Sequence, residues 1–335
     1  MTQAVIRPHE TSPRRPLAFD WRSLSPYIAL ALLMALGTAV NIDFLTLENV
    51  SNVVARSAFI AIIAVGATFV ISGGGLDLSV GSMAAFVAGV TILFLNRAGP
   101  DASYGTLAAG MVLALALGGL CGLGNGLIVA FGRIEPFIVT LGTMGIFRAL
   151  ITYLAQGGSI PMKSATLREL YRPAYFGAVV GIPVPVLVFV GVAVIAAVVL
   201  YKTPFGRRVT AIGSSEEVAR YSGLAIKRVR VLTYVIQGLC VGLAVIVYVP
   251  RLGSATPTTG LLWELQAITA VVIGGTALRG GTGRVFGTIA GAIILEMVGN
   301  IMVLSDLVSE YLIGAVQGAI IIVAMLVQRS LARSR

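Results

Sequence analysis

Few side chains in this sequence could do chemistry, and most of those are isolated among apolar residues. Asp77 and Ser79 lie in a glycine-rich run, while Asn125, Arg148 and Glu296 each fall within an apolar stretch. Charged groups are costly inside a membrane, so they mark transport paths or pair with one another. We therefore predict a translocation path that these five residues line, with a mutual Arg148–Glu296 pair as one arrangement. Asp77 has a second interpretation, because a carboxylate at that position would suit the N-terminus of the following helix.

The sequence contains none of the familiar catalytic motifs. It has no GxxxxGK[ST] phosphate loop, no HExxH, no CxxC and no GxSxG. Its one histidine, His9, and its two cysteines, Cys121 and Cys240, have no metal-ligand spacing. We expect no catalytic residue, no metal and no cofactor in this chain. A carrier coupled to protons or ions would need more charges in its spans, so a driving force from outside the chain is favoured.

The composition indicates an integral membrane protein. Of the 335 residues, 57% are hydrophobic and 11% are charged, whereas about a quarter of a soluble domain is charged. The predicted class is an all-α polytopic protein embedded in lipid, without room for a second soluble domain. The net charge of +10 is better explained by membrane topology than by binding to nucleic acid.

The hydropathy pattern predicts about ten transmembrane helices, because a span needs about 20 mainly apolar residues and fewer where it is broken. They would form one permease-like domain (27–328) between an N-terminal tail (1–26) and a C-terminal tail (329–335). The predicted spans are Tyr27–Val40, Ala55–Ile71, Val80–Leu95, Thr106–Phe131, Phe137–Ala155, Val184–Leu200, Val231–Val249, Leu265–Gly274, Val285–Leu304 and Tyr311–Val327.

The longest charged segment, Lys202–Arg230, orients these spans. It holds seven basic residues between two apolar stretches, and an excess of Lys and Arg marks the cytoplasmic side of a membrane. With this loop inside, both termini are predicted to be cytoplasmic. The loop between residues 156 and 183 would then be external, either as a docking surface for a partner or as a plain lid.

A short helix is predicted within this charged segment. Ser214 and Ser215 precede the acidic pair Glu216 and Glu217, and Gly223 follows, as at a capped helix start and a glycine stop. Such a helix is well placed to contact a partner. An ordinary solvated loop whose charge only sets topology is the alternative.

Two glycine-rich runs interrupt the hydrophobic pattern, at residues 72–82 and 274–287. They predict either broken helices, as in transporters, or two tight turns. Because both runs follow apolar segments, they also suggest an internal duplication, which could be parallel or inverted. Glycines within helices, such as Gly118, Gly119, Gly122, Gly124 and Gly126, suit close helix packing in lipid. The glycines of the two breaks are Gly73, Gly74, Gly75, Gly81, Gly274, Gly275, Gly280, Gly281, Gly283 and Gly287.

Several motifs together resemble the membrane permeases of ribose/xylose-type bacterial ABC sugar importers. They are SGGGLDLSVGS (72–82), PFIVTLG (136–142), TPFGR (203–207), AIGSSEEVARYSGL (211–224), AITAVVIGG (267–275) and GGTGRVFGTIAGA (280–292). The resemblance covers nearly the whole chain after about Tyr27.

This resemblance implies an inner-membrane permease subunit that pairs with a second copy of itself or with a homologous permease. It implies cytosolic ATP-binding subunits, sometimes fused in tandem, that bind ATP and Mg, and a periplasmic or lipoprotein sugar-binding protein. The short helix would be the coupling helix seated in the ATPase. The residues implied in coupling are Gly213, Glu216, Glu217, Ala219, Arg220, Gly223 and Leu224.

Two other functions stay open at this point. One is a branched-chain amino acid permease of the same superfamily, although GLDLSVG and the SGL after the acidic pair favour sugar. The other is a secondary carrier or channel that needs no ATPase, which leaves the coupling-like loop unexplained.

Overall fold

The computed structural model describes residues 21–99 and 102–305, together with residues 312, 314–316, 318, 319 and 322. The predicted C-terminal tail, most of the tenth predicted span and residues 1–20 of the predicted N-terminal tail lie outside the described residues. The first helix begins at Trp21, inside the predicted tail, and continues through Pro26.

The described part of the chain is almost entirely helical, which confirms the all-α class. A short 3-10 helix at Ile42–Leu45 follows the first α-helix, and four two-residue strands lie in the connections. The helices are α1 (Trp21–Val40), α2 (Leu47–Ser72), α3 (Val80–Asn96), α4 (Tyr104–Gly132), α5 (Pro136–Leu154), α6 (Ala165–Tyr171), α7 (Pro173–Phe176), α8 (Val184–Lys202), α9 (Pro204–Ser214), α10 (Glu216–Tyr221), α11 (Ile226–Leu252), α12 (Trp263–Ile273) and α13 (Val285–Ser305). The strands are β1 (Ile160–Pro161), β2 (Ala178–Val179), β3 (Ile182–Pro183) and β4 (Ser254–Ala255).

Nine of the helices correspond to the nine predicted spans that fall on described residues. Six of them, α2, α4, α5, α8, α11 and α13, are long and apolar enough to cross a membrane, and α1, α3 and α12 are shorter apolar helices. The predicted polytopic membrane class is therefore confirmed. The bundle has two ends, which we call the α9–α10 face and the α6–α7 face after the short helices at each.

Helix α2 forms the centre of the bundle. Every residue from Ser57 to Ser72 is buried, because neighbouring helices surround this continuously apolar segment on all sides. Helix α11 runs antiparallel to it: the rings of Phe59 and Tyr248 lie 5.1 Å apart, and the Gln237 amide donates to the carbonyl of Ile63 at 3.3 Å.

Helices α4 and α11 meet backbone to backbone along a seam of glycines. A Cβ on Gly126 would lie 2.9 Å from the Cα of Val231, and one on Gly242 would lie 2.6 Å from the carbonyl oxygen of Ala114. Gly118 and Gly122 likewise lie against the backbone of α11. The predicted close packing of these glycines is confirmed, and it follows from the small size that lets helix backbones approach.

Two long helices are each followed by an irregular segment and then a shorter helix. Residues 73–79 lead from α2 into α3, and residues 253–262 lead from α11 into α12. The starts of α3 and α12 meet at Gly81 and Gly260, whose backbones touch so closely that neither position has room for a Cβ. This meeting point lies near the middle of the bundle, because Phe59, halfway along α2, packs its ring 4.8 Å from that of Trp263.

The two broken-helix units run in opposite directions, so the repeat is inverted. Helix α2 is antiparallel to α11, and α3 and α12 approach the meeting point from opposite ends. Inverted pairs of discontinuous helices with converging N-termini are typical of transporters.

The predicted second break at 274–287 is wrong as a counterpart of the first. Residues 274–284 form a turn between α12 and α13 at the α9–α10 face, where Gly274 packs directly against Gly287. The true counterpart, 253–262, has only two glycines, so composition gave little sign of it. Of the two interpretations of 274–287, the tight turn is the one that the structure shows.

Candidate functional site

Three of the predicted path residues meet in one buried cluster at the start of α3. Asp77 Oδ1 accepts hydrogen bonds from the backbone N–H of Ser79 at 2.9 Å and from its hydroxyl at 2.7 Å. The Asn125 amide donates to the Ser79 hydroxyl at 2.8 Å. We call Asp77, Ser79 and Asn125 the polar knot. All three side chains are buried.

The polar knot shapes the turn that begins α3 and does not cap the helix in the usual way. Asp77 bonds the backbone two residues on, as in an Asx turn, and no amide in the first turn of α3 receives a side-chain cap from Ser79. Asp77 Oδ2 and Asn125 Oδ1 are buried without a hydrogen-bond partner. Unpartnered acceptors are costly in an apolar interior, so the polar knot carries two oxygen atoms that the protein itself does not satisfy.

The predicted Arg148–Glu296 pair is wrong. Arg148 instead donates to the carbonyl oxygens of Pro257 and Thr259, the latter at 2.8 Å. Glu296 interacts electrostatically with Arg56 and Arg251 in another part of the bundle. The Arg148 partners lie in the irregular segment 253–262, which the hydropathy pattern did not distinguish. Arg148 holds the second irregular segment, 253–262, against α5.

The α6–α7 face also holds this second segment. Strands β1 and β4 pair antiparallel, with Ile160 opposite Ala255, and Met162 donates to the carbonyl of Gly253 at 2.8 Å. The Asn96 side chain, at the end of α3, forms hydrogen bonds with the 156–183 loop: it donates to the carbonyl of Pro161 and accepts from the N–H of Lys163. The loop predicted to be external is therefore joined to both broken helices.

At the α9–α10 face, three segments meet through their backbones. The N–H of Gly281 donates to the carbonyl of Ser72 at 2.9 Å, and the Ser72 hydroxyl donates to the carbonyl of Thr282 at 3.1 Å. Gly213, near the end of α9, lies so close to Ser72 and Gly281 that a Cβ there would overlap both. We call Ser72–Gly75, Gly213 and Gly280–Gly283 the glycine junction. Gly74, Gly280 and Gly281 have positive φ angles of 79°, 84° and 83°, which glycine alone adopts freely.

The predicted short helix is confirmed as α10. Ser215 caps it by accepting from the N–H of Val218 at 3.3 Å, and Gly223 ends it with a φ of 74°. Glu216 bonds Arg220 at 3.1 Å and Arg230 at 2.6 Å. The Arg230 guanidinium, as the main cause, holds the pKa of the Glu216 carboxyl below its ordinary value. Glu216 therefore anchors α10 to α11.

The coupling residues expected from the resemblance divide between two sides of α10. Glu217 and Arg220 are exposed, whereas Ala219 is buried against Val209, Ile212 and Ile226. Ala219 thus packs inward, so its part in the expected coupling role is to hold α10 in place rather than to offer an exposed side chain. Leu224 packs against the same cluster.

Two exposed residues on α10 went unnoticed in the sequence. Val218 is 63% exposed and Tyr221 is 83% exposed, although both are of types that are usually buried. Their spacing of three residues puts them on one face of the helix. That spacing, within a charged segment, could have predicted an exposed apolar face. Exposed apolar side chains beside charges are typical of a protein interface.

A cavity of about 1080 Å³ opens beside α10, between the α4–α5 turn and the start of α11. Its lining is rich in charged groups, with Glu135, Glu216 and five basic residues. The basic residues are Arg133, Arg220, Lys227, Arg228 and Arg230. Among the described residues, no cluster of three or more His, Cys, Asp or Glu could hold a metal ion.

The fold and these sites define a class: a polytopic α-helical transport protein built on an inverted pair of broken helices, with a short exposed helix joined to one of them. Residues 49–325 match the family model described as "Branched-chain amino acid transport system / permease component". The chain belongs to this permease family.

Relatives within the family are import permeases for sugars. The chain is 36% identical over 300 residues to the ribose import permease protein of Haemophilus influenzae, covering 90% of this chain and 91% of that one. It is 38% identical to the ribose import permease protein of Bacillus subtilis, covering 92% and 93%. It is 31% identical to the D-allose transport system permease protein of Escherichia coli, covering 97% of each.

Proposed function

We propose that this chain is the membrane-spanning permease subunit of an ATP-driven importer for a monosaccharide-like solute. The observation that carries the proposal is the glycine junction, which joins the exposed helix pair α9–α10 directly to the first broken helix. The names of its relatives, which are ribose and allose permeases, favour a sugar over a branched-chain amino acid.

In this proposal the chain itself hydrolyses nothing. ATP and Mg bind to cytosolic partner subunits, whether separate or tandem-fused, and the driving force enters through α10. The exposed face formed by Glu217, Val218, Arg220 and Tyr221 is the contact surface. Glu216 and Ala219 fix α10 to the rest of the permease, so that α10 moves together with the elements it contacts.

Movement of α10 reaches the centre of the bundle by short, stiff contacts. Gly213 presses on Ser72 and on Gly281 through the backbone, and residues 73–79 connect that point to α3. Rigid-body rocking about such contacts is the usual basis of alternating access. The α6–α7 face, which holds the other irregular segment, is the surface that a sugar-binding protein outside the membrane would contact.

The remaining partners and the orientation follow from the same proposal. The α9–α10 face is cytoplasmic, both termini lie on that side, and the membrane is the bacterial inner membrane. A second copy of the chain or a homologous permease completes the path. Helix α5, of whose residues only Val139, Thr140 and Ile151 are buried, leaves a large surface for lipid or for that copy.

The test is uptake of labelled monosaccharide into vesicles that contain the permease, the matching ATPase subunits and the binding protein. Wild type is compared with Glu217→Lys and Tyr221→Asp, because both side chains point to solvent and neither supports the fold. We expect both variants to insert normally, to lose ATPase co-purification and to lose uptake. Glu48→Lys, at an exposed acid in the first turn of α2, is the matched control and should behave as wild type.

Two outcomes contradict the proposal in different ways. Unchanged ATPase binding in both α10 variants would show that the docking surface lies elsewhere. Uptake that persists in vesicles without any ATPase would overturn the importer function and favour the secondary carrier.

A further inference from the structure

A carboxylate that sequence analysis passed over lies where the two broken helices meet. Glu264 is in the first turn of α12, and a Cβ on Gly81 of α3 would lie 2.6 Å from its Oε2 atom. The carboxylate therefore sits between the N-termini of two half-helices, where both helix dipoles favour negative charge. Arg148 of α5 lies close enough to interact with it electrostatically.

This part of the bundle centre is open at the surface of the chain. Glu264 is only partly buried, and its neighbours Leu261, Leu262 and Leu265 are 60%, 46% and 44% exposed. A carboxylate exposed at this depth cannot face lipid without a large cost, so it faces a water-filled path or a protein partner. The polar knot differs in this respect, because Asp77 is only 6% exposed.

Hydroxyl groups lie in the irregular segment that precedes Glu264 and that Arg148 bonds. The Thr256 hydroxyl lies 3.0 Å from that of Thr258 and 3.1 Å from that of Thr259. Thr258 is exposed, and Arg148 fixes the backbone of this segment through Pro257 and Thr259. We call Arg148, Thr256, Thr258 and Glu264 the polar strip.

The polar strip and its leucines combine two kinds of surface. A carboxylate, a guanidinium and hydroxyls donate and accept hydrogen bonds, while the exposed leucines offer apolar contact. Binding sites for small solutes pair a few placed polar groups with an apolar wall in this way. An uncharged, polyhydroxylated molecule matches both surfaces. Its hydroxyls would hydrogen-bond to the polar groups, and its carbon-bound hydrogens would contact the leucines.

We propose that the polar strip lines the translocation path and contacts the passing solute, with Glu264 as its principal contact. This inference rests on the proposed function and assigns the solute-contacting surface to the second broken helix. The polar knot in the first broken helix then has a positioning role only.

The first test measures maximal uptake rates of several monosaccharides with Glu264→Gln and Glu264→Ala. We expect uptake to fall by about tenfold, the order expected for one lost charged hydrogen bond, and the ranking of the sugars to change. ATPase co-purification should stay at the wild-type level, because Glu264 lies far from α10. Glu48→Gln, at the exposed acid in the first turn of α2, is the matched control.

The second test measures whether water reaches the polar strip. Glu264→Cys and Leu261→Cys should react with a charged, membrane-impermeant thiol reagent, and sugar supplied with its binding protein should slow that reaction. Val194→Cys, exposed on the apolar helix α8, should not react, and wild type supplies the background from Cys121 and Cys240.

If both Glu264 variants transport every sugar at the wild-type rate and in the wild-type ranking, the inference is overturned. The proposed function survives that result as long as the wild-type protein shows ATP-dependent uptake. Failure of both cysteines to react would overturn it equally. If wild type shows no ATP-dependent uptake at all, the proposed function fails first and this inference fails with it.

Discussion

The two broken helices share a design but are held by opposite ends of the molecule. The first, at residues 73–79, begins at the glycine junction and is tied to α9 through Gly213. The second, at 253–262, is tied to the α6–α7 face through the β1–β4 pairing and to α5 through Arg148. Asp77 is buried in the polar knot of the first, whereas Glu264 of the second is partly exposed.

This difference suggests a division of labour between two otherwise similar units. The first unit contacts the α9–α10 face, and its turn, residues 73–79, has no exposed polar side chain. The second unit offers polar groups and is held by the opposite face. The starts of their shorter helices meet backbone to backbone at Gly81 and Gly260, so a shift of either half-helix is transmitted to the other at this contact.

Gly81→Val should therefore have the largest effect. Its side chain would collide with the backbone of Gly260 and with Glu264, and neither can retreat without moving a half-helix. We expect loss of uptake together with a lower midpoint of thermal unfolding in detergent. Gly145→Val on α5, where a Cβ meets nothing within 4 Å, is the control. A Gly81→Val protein that transports normally would show that the two units move independently.

Gly213→Ala should uncouple the first unit while leaving the protein folded. The added methyl would push the Ser72 carbonyl and the Gly281 N–H apart, although α10 keeps its exposed face. We expect normal ATPase co-purification with at least about tenfold slower uptake, a cost of about 1.4 kcal/mol in the transport barrier. Gly191→Ala, an open position on α8, should leave uptake unchanged. Equal loss of ATPase binding and uptake would instead indicate that Gly213 supports α10 itself.

Asp77→Ala should reduce stability more than it reduces solute recognition. It removes the acceptor for two hydrogen bonds from Ser79, which leaves buried donors unpaired and costs about 1–3 kcal/mol. The unfolding midpoint should fall, whereas the ranking of transported sugars should not change. Asp43→Ala, at an exposed acid, is the comparison. A changed sugar ranking would move the solute contact to the first unit.

A smaller effect is expected from acid at Glu216. Because its pKa is lowered in the folded protein, its anchoring of α10 is complete above the ordinary glutamate pKa of about 4.3. That anchoring is lost as the pH falls through the lowered pKa. Glu216 is 42% exposed, so the contribution is below about 1 kcal/mol. Hydrogen exchange of α10 amides, corrected for intrinsic rates, should rise at acid pH in wild type and in Glu217→Gln, and should be independent of pH in Glu216→Gln.

Much of the fold could be predicted from the sequence because lipid demands long apolar helices. The nine described apolar helices and the short helix α10 follow from hydropathy, serine caps and a glycine stop. The glycines facing α11 were also predictable, since packing in lipid favours small residues. Gly124 is the exception within that run, because a Cβ there meets nothing within 4 Å.

The site was harder to predict because it depends on contacts between distant segments. Glycine content pointed to 274–287 as the second break. The true second break, 253–262, has few glycines, and its irregular backbone is held by Arg148 and by strand pairing. Glu264 looked unremarkable at the edge of a predicted span beginning at Leu265. Only the meeting of α3 with α12 gives its carboxylate a place at the centre.

The glycine seam between α4 and α11 bears on how the chain is assembled as it is made. The α4 face that carries Gly118, Gly122 and Gly126 has no side chains to cover its backbone, and its partner is synthesised only after α5 to α10. Newly inserted α4 must therefore wait in the bilayer, or beside an insertion factor, with that face uncovered. That glycine face becomes covered only when α11 has been inserted and packs against it.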